Sequence, residues 1–133
     1  MTDRMPARPI ILTIDDAKAV RLLAERALSA FECEATEATN GFNGFFAIER
    51  ARPDLILLDI SMPVMDGLEM LRRLKATPEI ADIPVIMLAS RADHAVLPEL
   101  PAMGARDTLL KPFDENALVA KIQGVLKLKP ARK

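Results

Sequence analysis

Five polar residues of this 133-residue chain occupy equivalent places, each at or just past the end of a short, largely apolar run. Asp15 and Asp16 follow Ile10–Ile14, Asp59 follows Leu55–Leu58, Ser90 comes just after Ile83–Leu88, and Lys111 follows Asp107–Leu110. If folding gathers these ends, three carboxylates share one pocket. Like charges at that range repel, and one carboxyl is forced to keep its proton unless cations intervene. A divalent ion resolves the conflict. Hard carboxylate oxygens suit Mg²⁺, which takes about six oxygen ligands, keeps several waters and is often completed by a phosphate. Zinc is disfavoured, because neither Cys33 nor His94 lies at these ends. Lys111 supplies a positive point charge and Ser90 a hydroxyl donor. Around a central carboxylate, this set is equipped for phosphoryl transfer to the carboxylate itself, with charge on the transferring oxygens neutralised from several sides.

The runs that carry these residues read as strands. Ile10–Ile14, Leu55–Leu58 and Ile83–Leu88 are continuous stretches rich in Ile, Leu and Val, as expected for strands buried on both faces of a parallel sheet. Pro9, Pro53 and Pro84 sit at or near their starts, where a missing N–H costs least. Cys33–Ala38 and Asp107–Leu110 are weaker strands that complete five. Between them the period is helical. Val20, Ala24, Ala27, Leu28 and Phe31 share one face of a helix expected over 17–31. Leu68, Leu71 and Leu74 mark a helix after Gly67, and Leu118, Ile122, Val125 and Leu126 mark a last one capped by Asp114. Strict β–α alternation implies an α/β doubly wound sheet with right-handed crossovers and helices on both faces. Ligands of such sheets lie beyond the carboxyl ends of the strands, where the five polar residues stand.

Composition narrows the function further. The length fits one domain, with residues 9–128 as its body and 1–8 and 129–133 as tails. Eighteen Lys+Arg against nineteen Asp+Glu give a net charge of −1, so neither nucleic acid nor a membrane surface is expected as a partner. One cysteine, Cys33, makes no internal disulfide and is expected as a small buried hydrophobe in a reducing compartment. The start MTDRMPARP lacks the apolar stretch of a signal peptide, and no run approaches the ~18 apolar residues of a membrane span. A cytoplasmic location is expected.

Between about Pro9 and Leu128 the chain resembles the receiver domain of two-component response regulators. The acidic pair in LTIDDAKAV, the acceptor in DLILLDISMPVMDGLEML, the hydroxyl in IPVIMLAS and the lysine–proline in DTLLKPF carry the resemblance, and Asp59–Met62–Pro63–Met65–Asp66–Gly67 is its most specific part. The resemblance implies the flavodoxin-like strand order 2-1-3-4-5. It implies that Asp59 accepts a phosphoryl group from a histidine of a sensor kinase or phosphotransfer protein. It further implies that Asp16 ligates Mg²⁺ directly and Asp15 through water, with the Ser61 backbone carbonyl completing the protein ligands. Ser90 and Lys111 would hold the phosphoryl oxygens, and the Lys111–Pro112 peptide is expected to be cis. On this reading the chain is no enzyme acting on a separate substrate. It is a phosphoacceptor that catalyses its own phosphorylation and dephosphorylation, with no attached output domain, signalling through protein contacts.

Several positions depart from the family pattern. Arg91 and Ala92 follow Ser90, and the long cation of Arg91 stands where a small residue is usual, so both are candidate modulators of the site. Thr108 takes the place of the usual switch Tyr or Phe, and a threonine cannot swing a ring between exposed and buried positions. The fourth helix is expected to be irregular, because Pro98 and Pro101 each remove a donor and clash with the preceding turn. A loop is expected there, with a short helical turn starting near Pro98. Leu22 falls opposite the core face of the first helix and is a candidate partner contact. Phe42 and Phe46 lean away from the core face of the second helix as a candidate exposed pair, and His94 is expected at the surface.

Three other readings compete. A phosphatase with an aspartyl nucleophile usually carries a second aspartate two residues on, where Ser61 stands. A dinucleotide-binding fold wants a glycine-rich first turn, and the Asp15–Asp16 pair would repel a pyrophosphate. A receiver-fold adaptor that binds partners independently of phosphorylation is kept open by Thr108 and the irregular fourth helix.

Overall fold

The computed structural model describes residues 8–131. Residues 1–7 of the expected N-terminal tail, and Arg132 and Lys133 of the C-terminal one, lie outside the described residues. Five strands, β1 (Ile10–Ile14), β2 (Glu34–Ala38), β3 (Leu55–Asp59), β4 (Val85–Ala89) and β5 (Asp107–Leu110), form one parallel sheet in the order β2-β1-β3-β4-β5. Three α-helices lie between strands, α1 (Lys18–Leu28), α2 (Gly41–Arg50) and α3 (Gly67–Ala76), and α4 (Glu115–Gln123) follows β5. The expected flavodoxin-like order is the observed one.

Every residue of β3 and β4 is buried, which is why these strands read as unbroken apolar runs. Successive side chains point to opposite faces, so each strand feeds two cores. Leu12, Ile14, Ile56, Leu58, Val85 and Met87 pack with Met70, Leu71 and Leu74 of α3 and Ile48 of α2. Ile11, Leu55, Leu57, Ile86 and Leu88 pack on the other face with Ala24, Ala27 and Leu28 of α1 and Leu118 and Ile122 of α4. Truncating a fully buried leucine such as Leu57 to alanine costs about 2–5 kcal/mol in such a core. Edge strands β2 and β5 are partly exposed and correspondingly weaker in hydrophobic pattern.

Helix starts follow local chemistry. Asn40, Asp66 and Asp114 cap α2, α3 and α4 by accepting the N–H of Asn43, Glu69 and Ala117 at 2.8, 2.9 and 2.8 Å. Helix ends are earlier than expected. α1 stops at Leu28, where the Ser29 hydroxyl donates to the Arg26 carbonyl at 2.7 Å. α4 stops at Gln123, and Val125 and Leu126 continue the apolar pattern as turns packed on the same core. β4 begins at Val85 rather than Ile83, because Pro84 has no N–H and the Ile83 N–H turns back to the Ile80 carbonyl at 3.1 Å. The C-terminal stretch expected as a tail is tied down in its described part. Pro130 bridges Phe31 antiparallel, the Glu32 N–H donates to the Lys129 carbonyl at 2.7 Å, and the Ala131 N–H to the Ala30 carbonyl at 2.8 Å.

The segment between β4 and β5 corrects the expectation of a loop followed by a turn at Pro98. A 3₁₀ helix spans Arg91–Glu99, starting at once after Ser90 and ending near Pro98 rather than beginning there. Its start is fixed by Asp93, whose carboxylate accepts the Ser90 N–H at 2.8 Å, while the Asp93 N–H donates to the Ser90 carbonyl at 3.0 Å. Pro98 falls one residue before the end, where a lost donor interrupts little. No α-helix forms here, as the two prolines lead one to expect. The following turn closes at Gly104, with φ of +104°, a conformation that favours glycine.

Candidate functional site

The carboxyl ends of β1, β3, β4 and β5 bring the expected residues together. Ligand oxygens of Asp15, Asp16 and Asp59 all lie within 4.8 Å of one another. Lys111 Nζ reaches into this group, 2.8 Å from Asp15 Oδ2 and 3.1 Å from Asp59 Oδ1. Asp15 is fully buried and Asp59 nearly so, whereas Asp16 is exposed. The Lys111–Pro112 peptide is cis.

Each acid is held differently. Asp15 Oδ1 accepts the Ala17 N–H at 2.8 Å, and the Asp15 carbonyl accepts from Arg21 at 2.8 Å. Arg21 in turn pairs with Glu37 at 2.6 Å, so the acidic turn is pinned between α1 and β2. Asp15 Oδ2 faces the Lys111 ammonium without an aligned hydrogen bond. The Asp59 carboxyl is pushed up to about 6 by burial and the Asp15 charge, with Asp16 adding and Lys111 opposing. Burial works against the charge on Lys111, but Asp15 and Asp59 outweigh it and hold the ammonium above its ordinary range. One ammonium is shared between Asp15 and Asp59, so burial and the neighbouring charges leave Asp59 short of positive charge.

That shortage tests the fit of a magnesium ion. A buried carboxylate oxygen with no aligned donor, two further carboxylates within reach and an acid that resists ionisation are the signs of a site suited to one more hard cation. Ser61 is exposed in the loop after β3.

The α3 start is built against the acceptor strand. Gly67 donates its N–H to the Ile60 carbonyl at 2.7 Å, and a Cβ at this position would stand 2.8 Å from the Ile60 Cα and collide with the Asp59 carbonyl. In the same loop Val64 has φ of +72° and is 83% exposed, a strained conformation for a β-branched residue.

Ser90, half-buried at the end of β4, donates its hydroxyl to Asp93 Oδ2 at 3.1 Å. Asp93 Oδ1 accepts the Ser61 hydroxyl at 2.8 Å. Burial raises the Asp93 carboxyl, but the Ser90 N–H, both hydroxyls and Lys111 outweigh it and hold the group below the usual carboxylate range. Asp93, Arg21 and the close approach at Gly67 were not identified as parts of the site from sequence. Only Asp93 has a local signal, the Ser90-x-x-Asp93 spacing of a helix start.

The remaining candidates surround this centre. Arg91 and Ala92 are exposed on the first turn of the 3₁₀ helix, and Arg91 lines a cavity of about 200 Å³ with Ser90, His94, Leu97 and Lys111. Thr108 is half-buried on β5 and borders a shallow hollow with Pro112, Phe113 and Lys121. Leu22 is 41% exposed on α1 and packs in neither core layer. Phe42 and Phe46 are exposed and line a groove of about 550 Å³ with Phe45, Ile48 and Ile80. Cys33 is buried, its thiol raised by that burial.

Comparison with known proteins agrees with this geometry. Residues 11–123 match the family described as response regulator receiver domain. The chain is 32% identical over 119 residues to sporulation initiation phosphotransferase F of Bacillus subtilis, covering 90% of this chain and 94% of that protein. It is 37% identical over 117 residues to the phosphate regulon transcriptional regulatory protein PhoB of Pseudomonas aeruginosa, covering 88% of this chain and 51% of that protein. The chain thus spans about half the length of several curated relatives. Among solved structures, the chemotaxis protein CheY4 of Vibrio cholerae matches with a TM-score of 0.83 and 29% identity, covering 90% of this chain and all of that one.

Proposed function

The chain belongs to the response regulator receiver domain family, and from that premise we propose that Asp59 is a phosphoacceptor served by a phosphohistidine on a sensor kinase or phosphotransfer protein. The observation that carries this reading is the position of Lys111, whose ammonium spans Asp15 and Asp59 at 2.8 and 3.1 Å beside a third carboxylate. An Asp59 oxygen attacks phosphorus, the phosphorus–nitrogen bond to the donor imidazole breaks, and the imidazole leaves with the bonding electron pair. The product is an acyl phosphate on Asp59. Lys111 is placed to neutralise an oxygen of the incoming group, and the Ser90 hydroxyl to donate to another.

Asp15, Asp16, Asp59 and the Ser61 carbonyl would hold Mg²⁺. When bound, the ion neutralises charge on the phosphoryl oxygens and favours the ionised, nucleophilic form of Asp59. The protein's own residues thus promote both phosphorylation and its reversal, so the chain is a self-catalysing switch rather than an enzyme with a separate substrate. Output is a protein contact that depends on phosphorylation, and the Leu22 side of α1 is a docking surface for the donor. A cytoplasmic location is supported by the kind of partner and by the lack, among the described residues, of any helix long and apolar enough to cross a membrane.

Incubation with a low-molecular-weight phosphodonor tests the reading. Label that requires Mg²⁺, is released by hydroxylamine and maps by reductive trapping to Asp59 is expected. Label elsewhere, or equal labelling after chelation of Mg²⁺, contradicts it.

A further inference from the structure

Asp93 is a buried carboxylate beside the site to which the phosphoryl chemistry assigns no task. Its Oδ1 accepts the Ser61 hydroxyl at 2.8 Å, and its Oδ2 accepts both the Ser90 N–H at 2.8 Å and the Ser90 hydroxyl at 3.1 Å. One side chain therefore joins the loop after β3 to the end of β4, the two segments that flank Asp59.

A serine hydroxyl has one proton to donate. In this structure Ser90 gives it to Asp93, and a phosphoryl oxygen on Asp59 would need the same proton. The two acceptors compete. Resting on the phosphoacceptor reading above, we propose that Asp93 is a positioning residue that latches Ser90 in the unphosphorylated arrangement and must release its hydroxyl when Asp59 is phosphorylated. Both acceptors are anionic, so the carboxylate offsets part of what the phosphoryl oxygen gains from the hydroxyl, and a neutral acceptor in its place would offset less. Release does not strand the carboxylate. Asp93 keeps the Ser61 hydroxyl and the Ser90 N–H, so no unsatisfied buried charge is created and the latch can close again. An interaction made in only one of two states shifts the balance between them by its own strength.

The test is a titration of the Mg²⁺-loaded protein with beryllium fluoride, a tetrahedral mimic of the phosphoryl group, followed by calorimetry. Asp93→Asn should bind the mimic about five-fold more tightly than wild type, as expected for exchanging a charged for a neutral acceptor. In a Ser90→Ala background the same substitution should change affinity less than about two-fold, because no hydroxyl remains to be released. An equal gain in both backgrounds would reveal general charge repulsion and overturn the latch, as would no gain in either. If the asparagine variant fails to fold, as judged by thermal melting, Asp93→Ala carries the same pair of expectations. Failure of the wild type to bind the mimic at all strikes the phosphoacceptor reading first, which separates the two claims.

Discussion

Lys111 Nζ lies 3.1 Å from Asp59 Oδ1, and that contact leaves Asp59 only partly compensated because the same ammonium is 2.8 Å from Asp15. Burial and the Asp15 charge raise the Asp59 carboxyl from 3.8 to about 6, and Lys111 offsets only part of that rise. The unfolded chain releases this proton near 4 and the folded chain near 6, so between those values the folded state binds more protons. Stability of the metal-free protein should therefore fall as pH rises from about 4 to about 6, by on the order of 1–3 kcal/mol. Asp59→Asn should flatten that part of the profile and melt higher than wild type at pH 7. Magnesium should raise the wild-type midpoint more than that of the variant. Chemical denaturation across pH, with and without chelator, reads all three effects.

Gly67 and Gly124 make opposite forecasts for the same change. At Gly67 a methyl group would meet rigid backbone, 2.8 Å from the Ile60 Cα. Gly67→Ala should destabilise by about 1–3 kcal/mol and slow phosphorylation of Asp59 by displacing the strand end that carries it. At Gly124 the nearest atom is the Lys121 carbonyl oxygen at 3.4 Å and φ is −70°. Gly124→Ala should be neutral or stabilising by up to about 1 kcal/mol. Denaturation midpoints of the two variants provide the comparison.

Val64 occupies a left-handed conformation that costs a β-branched residue about 1–2 kcal/mol and suits asparagine better. Because the side chain is 83% exposed, little packing is lost on replacement. Val64→Asn should raise the melting temperature by roughly 2–5 °C. A lower melting temperature would mean that the valine side chain contributes packing that its exposure does not reveal.

Arg91 lines the cavity that also contains Ser90 and Lys111, so its side chain borders one approach to the site. Arg91→Ala should open that route to water and speed loss of the phosphoryl group several-fold. Decay at the wild-type rate, followed after donor removal, would count against a screening role.

How much of this could be read in advance depended on whether the cause was local. β3 and β4 were legible because burial on both faces demands unbroken apolar residues, and the polar residues at their ends, Asp59 and Ser90, followed from topology. The Asp114 cap was legible because a short carboxylate at a helix start has a local purpose. Helix ends were not, since Val125 and Leu126 keep the helical apolar pattern while packing as turns. Pro98 and Pro101 correctly excluded an α-helix, but a 3₁₀ helix needed the backward reach of Asp93 to Ser90. The hold of Arg21 on the Asp15 carbonyl has no sequence pattern at all, because a long side chain can turn back to many partners.

Intact mass after exposure to a small phosphodonor and Mg²⁺, measured on wild type and on Asp59→Asn, tests the central claim most directly. The wild type should gain the mass of one phosphoryl group and the variant none. An unmodified wild type, or a variant that gains the same mass, would contradict the assignment of Asp59 as the phosphoacceptor.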